Sequence, residues 1–212
     1  MQSVVEDFKK SFVNDQHLIL NIGMLAPRGP DKAIAAINEA IQLSMDAAPV
    51  DQIVLVGESW GADLAIIVSE QLTENSIAIA AEPDSYGFYQ LDQEWRDRMD
   101  EDYPRWRAAF EGMGPYGERA MQSHYGWLGS KPEWRRLNNL HDVKKRVLIL
   151  SGIGGDQPGM ETVLKLKDVE ALRPNRNITF FNVVGGGHRV LKRHSSVIAG
   201  ITTAFLNPAG NF

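Results

Sequence analysis

Residues 52–65 read QIVLVGESWGADLA and contain three different local patterns in fourteen positions. Residues 52–56 form a short apolar run, which is typical of a buried strand in a parallel sheet, and residues 61–72 follow a helical pattern. Between them lies a G-x-S-x-G sequence with Ser59 at its centre. This order predicts a strained turn from strand to helix, with flanking glycines that let other backbone approach closely.

Such a turn has a chemical use, because it lifts the hydroxyl of Ser59 above the sheet. It also places the N–H of Trp60 at a helix N-terminus, where it can donate a hydrogen bond to a developing oxyanion. We therefore interpret Ser59 as a nucleophile and Trp60 as an oxyanion donor. The alternative is an ordinary tight turn between a strand and a helix.

The rest of the chain alternates in the same way. Further apolar runs predict strands at residues 17–22, 77–81, 146–151 and 178–184, and helical patterns occupy residues 31–46, 160–172 and 189–206. The alternation predicts a single α/β domain over residues 1–212, with a mostly parallel central sheet of about five strands flanked by helices. Residues 86–142 break the rhythm and hold four of the five tryptophans, so we interpret them as a helical cap insertion.

A general base and an acid are needed to activate a serine hydroxyl, and the chain offers both after strands. Asp156 follows the strand at 146–151, and His188 follows the strand at 178–184 within GGGH. The carboxyl ends of parallel strands share one edge, so Ser59, Asp156 and His188 are expected to converge there. Glu82 or Asp84, which follow the strand at 77–81, could supply the acid instead.

Composition narrows the possible partners. A net charge of −5 over 212 residues gives no general attraction to nucleic acid, and no cysteine is present for a disulfide or a thiolate site. The sequence contains no run of 18 apolar residues, so no membrane span is predicted. The first residues of the sequence lack the apolar run of a signal peptide. The His and carboxylate residues are not spaced along the sequence in a pattern typical of a metal site. We expect a cytoplasmic domain without metal or cofactor.

The motifs GESWG, SGIGGD and GGGH, in this order, resemble those of the α/β-hydrolase superfamily. The resemblance covers residues from about 17 to 206 and implies a doubly wound sheet, a Ser–His–Asp triad and acyl-enzyme chemistry. It implies a serine hydrolase of the thioesterase or carboxylesterase type, acting on a small acyl ester or thioester, free or carrier-bound. An acyltransferase with the same triad, and a non-catalytic accessory domain with this fold, remain alternatives.

The chain departs from the family at its N-terminal side, where it looks shortened. Family members usually have three strands before the first crossover, whereas only residues 17–22 precede the strand at 52–56. In one arrangement, residues 18–24 replace the third strand and its loop, and Met24 N–H becomes the second oxyanion donor. In the other, residues 17–22 correspond to the fourth strand, and the strand beside 52–56 comes from outside this chain.

Overall fold

The structure, a computed structural model, describes residues 30–47, 50–81, 143–153, 175–187 and 190–207. The strand predicted at 17–22, the helix predicted at 160–172 and the cap insertion predicted at 86–142 lie outside the described residues.

The described elements alternate between helix and strand along the chain. In order they are α1 (Pro30–Ala47), β1 (Ile53–Glu58), α2 (Trp60–Gln71), β2 (Ser76–Ala81), β3 (Arg146–Ile153), β4 (Ile178–Val184), α3 (Val190–Arg193) and α4 (Ser195–Leu206). The predictions for α1, α2 and all four of these strands are confirmed to within two residues. The single helix predicted at 189–206 is wrong, because His194 leaves helical geometry (φ −127°, ψ 33°) and separates α3 from α4.

The four described strands form one parallel sheet in the order β1-β2-β3-β4. Val54 lies opposite Ile77, and Leu150 lies opposite Phe181. Because every neighbouring pair is parallel, the carboxyl ends of all four strands lie along one edge of the sheet. The predicted α/β architecture is confirmed, and this shared edge is where the chain can bring distant residues together.

Helices cover both faces of the sheet. One core cluster joins α1 and α2 to the sheet through residues such as Ala78 and Ala80 of β2. The other cluster joins α3 and α4 to the opposite face, through residues such as Ile77 and Ile79. All six residues of β2 are consequently buried, as its continuous apolar sequence predicts.

The prediction of strands covered on both faces fails for β1 and β4. Val54 and Val56 of β1 are 37% and 43% exposed, and Phe181 of β4 is 42% exposed. These strands are the outer two of the described sheet, and α4 packs against Ile77, Ile79, Leu148 and Leu150 on the inner two. An apolar run therefore predicted the strands correctly but overestimated the burial of the outer ones.

Polar contacts fasten the amino end of β3 to its surroundings. The Glu70 carboxylate at the end of α2 accepts hydrogen bonds from the backbone N–H groups of Lys144 and Lys145, the latter at 2.7 Å. The Arg146 guanidinium donates to the carbonyl of Phe205 and lies 4.6 Å from the centre of the Phe205 ring. These contacts hold the sheet edge opposite to Ser59.

Candidate active site

Ser59 is the single residue between β1 and α2, and its backbone is strained. Its φ of 56° and ψ of −129° make it the one non-glycine residue with positive φ in the described part of the chain. Residues with a Cβ atom rarely adopt this conformation, which costs about 1–3 kcal/mol. The strained strand-to-helix turn predicted from G-x-S-x-G is observed.

Gly57 shows why this turn needs glycine before the serine. A Cβ atom on Gly57 would lie 1.9 Å from the carbonyl oxygen of Gly61 and 2.6 Å from the backbone nitrogen of Ala62. Both neighbours are backbone atoms of the first turn of α2, which cannot move aside without moving the helix. The close approach predicted for the flanking glycines is therefore confirmed at Gly57. It is wrong at Gly61, where an added Cβ atom would have no neighbour within 4 Å.

Backbone hydrogen bonds hold the turn in place from both sides. Ser59 N–H donates to the carbonyl of Ala81 at the carboxyl end of β2, at 2.8 Å, and Ser59 C=O accepts from Ala62 N–H, also at 2.8 Å. Trp60 is the first residue of α2, so its N–H belongs to the first turn, whose amides have no acceptor within the helix. The N–H of Trp60 therefore lies at the start of α2, and its role as an oxyanion donor stays a prediction.

The loop after β4 returns across the end of β3. A Cβ atom on Gly152 would lie 2.2 Å from the carbonyl oxygen and 2.5 Å from the nitrogen of Gly187. Gly185 and Gly187 have φ values of 76° and 59°, which favour glycine. The loop that follows β4 is therefore in direct backbone contact with the carboxyl end of β3.

Glu58, the residue before Ser59, connects this turn to the segment after β4. One oxygen of its carboxylate, Oε1, accepts a hydrogen bond from the backbone N–H of Leu191 in α3 at 3.2 Å. The contact joins residues 133 positions apart. No sequence motif predicted a role for Glu58. The signal was its charge at the end of an apolar strand, because a partly buried carboxylate requires a hydrogen-bond donor.

Comparison with known structures finds a similar fold in several hydrolases. The esterase Pf2001 of Pyrococcus furiosus, in one crystal form, is 17% identical with a TM-score of 0.57, over 98% of this chain and 76% of that one. A lipase-esterase related protein from Clostridium acetobutylicum is 15% identical, with a TM-score of 0.53 over 96% and 88% of the two chains. Proline iminopeptidase of Mycobacterium smegmatis is 13% identical, with a TM-score of 0.50 over 98% and 85%. The chain has the α/β-hydrolase fold.

The likeness to these α/β hydrolases is one of structure. No model of a protein family matches the sequence. No curated protein matches it either. In two other crystal forms of the Pyrococcus furiosus esterase, this chain spans 62% of that protein's length.

Several predicted site residues of the α/β-hydrolase motif lie outside the described residues. These are the acid Asp156, the alternative acids Glu82 and Asp84, the base His188 and the second oxyanion donor Met24. Their roles stay predictions. Within the described ranges, no group of three His, Asp or Glu residues is placed to hold a metal ion. Of the helices in those ranges, none is both long and apolar enough to cross a membrane.

Proposed function

We propose that this protein is a serine hydrolase that cleaves an ester or thioester through an acyl-enzyme intermediate. Ser59 is the nucleophile, His188 the general base and Asp156 the acid that orients the base. The N–H of Trp60 is one oxyanion donor, and the N–H of Met24 is the second. The substrate is a small acyl ester or thioester, free or attached to a carrier.

The observation that carries the proposal is the backbone of Ser59. A tight turn between a strand and a helix does not require a positive φ at a residue with a Cβ atom. Strain of this kind persists only where surrounding contacts enforce it, and it is concentrated at functional sites. Here the enforced residue is a serine, at the edge of a parallel sheet where α/β proteins bind their ligands.

The contact between Gly152 and Gly187 supports the choice of base and acid. His188 is bonded directly to Gly187, and Asp156 follows Gly152 by four residues, a span of at most about 14 Å. Asp156 and His188 therefore belong to the segments that follow Gly152 and Gly187, two residues in contact at the same sheet edge as Ser59. Glu82 and Asp84, which follow β2 in the sequence, remain the competing acids.

The proposed reaction has two halves. His188 accepts the proton of Ser59 as Oγ attacks the carbonyl carbon, and the negative charge on the carbonyl oxygen is met by the oxyanion donors. The C–O or C–S bond then breaks, and His188 gives its proton to the leaving alcohol or thiol. Water, deprotonated by His188, attacks the acyl-enzyme and releases a carboxylic acid and the free serine.

The test is stoichiometric labelling of the full chain by a fluorophosphonate probe, which phosphonylates activated serines. We expect one label per chain, lost in Ser59→Ala and kept in Ser44→Ala. Ser44 is a matched control because it lies towards the C-terminal end of α1, where its hydroxyl donates to the carbonyl of Ala40. A panel of p-nitrophenyl esters and acyl-CoA thioesters then identifies the substrate class.

Absence of labelling in a folded protein would contradict the proposal and favour the non-catalytic accessory domain. Labelling that survives Ser59→Ala would contradict the choice of nucleophile. An acyl-enzyme formed from a p-nitrophenyl ester or acyl-CoA that transfers its acyl group to an added alcohol or amine in preference to water would favour the acyltransferase.

A further inference from the structure

We infer that Glu58 is a positioning residue, which fixes the segment carrying His188 relative to Ser59 through its hydrogen bond to Leu191. The inference rests on the proposed function, since it concerns the same nucleophile and base. It assigns a role to the variable position of the G-x-S-x-G sequence. The role is exerted through the backbone, and Glu58 itself takes no part in bond making.

The hydrogen bond joins two rigid parts of the fold. Glu58 is the last residue of β1, and its neighbour Ser59 is held by backbone hydrogen bonds to Ala81 and Ala62. Leu191 is 6% exposed and lies in the core cluster with Val190 and α4. The 3.2 Å contact therefore links the partly buried end of β1 to the buried first residues of α3.

The donor is suited to a carboxylate. Leu191 N–H lies in the first turn of α3, where helical amides have no acceptor within the helix. A charged acceptor forms a stronger hydrogen bond with such an amide than a neutral one does. Glu58 thus provides the N–H with an acceptor from a different part of the chain.

Two described contacts lie on either side of position 188 in the chain. On one side Gly187 packs against the backbone of Gly152, and on the other Leu191 bonds to Glu58. His188 is the residue after Gly187 and precedes Leu191 by three positions. Removing Glu58 takes away one of these two contacts and leaves Leu191 held by packing alone, so we expect the base to shift with respect to Ser59.

The experiment compares Glu58→Ala, Glu58→Gln and Glu58→Asp in the full chain. The rate of fluorophosphonate labelling is measured, together with kcat and KM for the best p-nitrophenyl ester and a urea unfolding curve. We expect Glu58→Ala to lower kcat and the labelling rate by roughly 10–100-fold, the range that a misplacement of about 1 Å produces, with KM little changed. Glu58→Gln keeps an acceptor oxygen at the same reach and should stay close to the wild type.

Glu58→Asp tests whether the carboxylate must reach the N–H of Leu191, because aspartate keeps the charge but is shorter by one methylene. We expect its labelling rate to fall between those of the Gln and Ala variants. Glu39→Ala is the control, because Glu39 is an exposed glutamate of α1 and its loss should change neither rate. If Glu58→Ala does not fold, the order of the Gln and Asp variants decides the question.

Two results would overturn the inference while leaving the proposed function intact. In the first, wild-type Ser59 is labelled and Glu58→Ala is labelled at the same rate. In the second, Glu58→Gln is as slow as Glu58→Ala, so that charge and not the hydrogen bond matters. Failure of the wild type to be labelled would instead contradict the proposed function itself.

Discussion

Replacing Ser59 with glycine should make the fold more stable than replacing it with alanine. Both substitutions remove the hydroxyl and its contacts, so the difference between them isolates the backbone. Ser59 has φ 56° and ψ −129°, a conformation that a Cβ atom disfavours and that glycine accepts. Glycine should therefore release strain that alanine retains.

The expected magnitude follows from two opposing terms. Release of the strain contributes about 1–3 kcal/mol. Glycine also raises the conformational entropy of the unfolded chain, which opposes the gain by about 0.4–1 kcal/mol. The free energy of unfolding of Ser59→Gly should thus exceed that of Ser59→Ala by roughly 0.5–2 kcal/mol, with Tm rising by about 2–4 °C for each kcal/mol.

Urea unfolding of the two variants measures this difference, and the same pair at Ser44 is the control. Ser44 lies within α1, where glycine is less favourable than alanine by about 0.8–1 kcal/mol. The sign of the Gly-minus-Ala difference should therefore reverse between the two positions. Equal stability of the two Ser59 variants, or a more stable alanine, would refute the reasoning that the turn stores strain.

Two further substitutions test the contacts around the sheet. Gly152→Ala places a Cβ atom against the backbone of Gly187, so we expect the free energy of unfolding to fall by about 1–3 kcal/mol. Gly200→Ala in α4 places its Cβ atom in open space and should raise the free energy of unfolding by about 0.5–1 kcal/mol. Equal effects of the two substitutions in urea unfolding would contradict this. Arg146→Met loses the hydrogen bond to the Phe205 carbonyl at the end of α4 and should cost about 1–2 kcal/mol, while Lys144→Met at an exposed side chain should change the Tm little.

The sequence predicted the centre of the fold because local pattern and tertiary packing agree there. Residues 76–81 are continuously apolar and are covered on both faces, and residues 57–61 carry the glycine that a close approach requires. The strained turn was predictable for the same reason, since G-x-S-x-G between a strand and a helix is a local pattern. The positions of β1 and α2 along the chain followed from it.

What the sequence did not reveal depends on the arrangement of separate segments. The exposure of Val54 and Val56 reflects which strands α4 covers, and apolarity alone does not encode that. The break at His194 likewise interrupts a pattern that reads as one helix. The hydrogen bond between Glu58 and Leu191 joins residues 133 positions apart, so no local pattern indicates it.

Strain at Ser59 requires a rigid frame, and the described contacts supply one. A residue in an unfavourable conformation relaxes unless its neighbours fix both of its peptide groups. Ala81 fixes the N–H side, Ala62 fixes the C=O side, and the approach of Gly57 to Gly61 leaves the first turn of α2 no room to shift. Ala81 in turn belongs to β2, the strand whose residues are all buried. It follows that a cavity in β2, which makes no change at Ser59 itself, should relax this turn before the sheet itself unfolds.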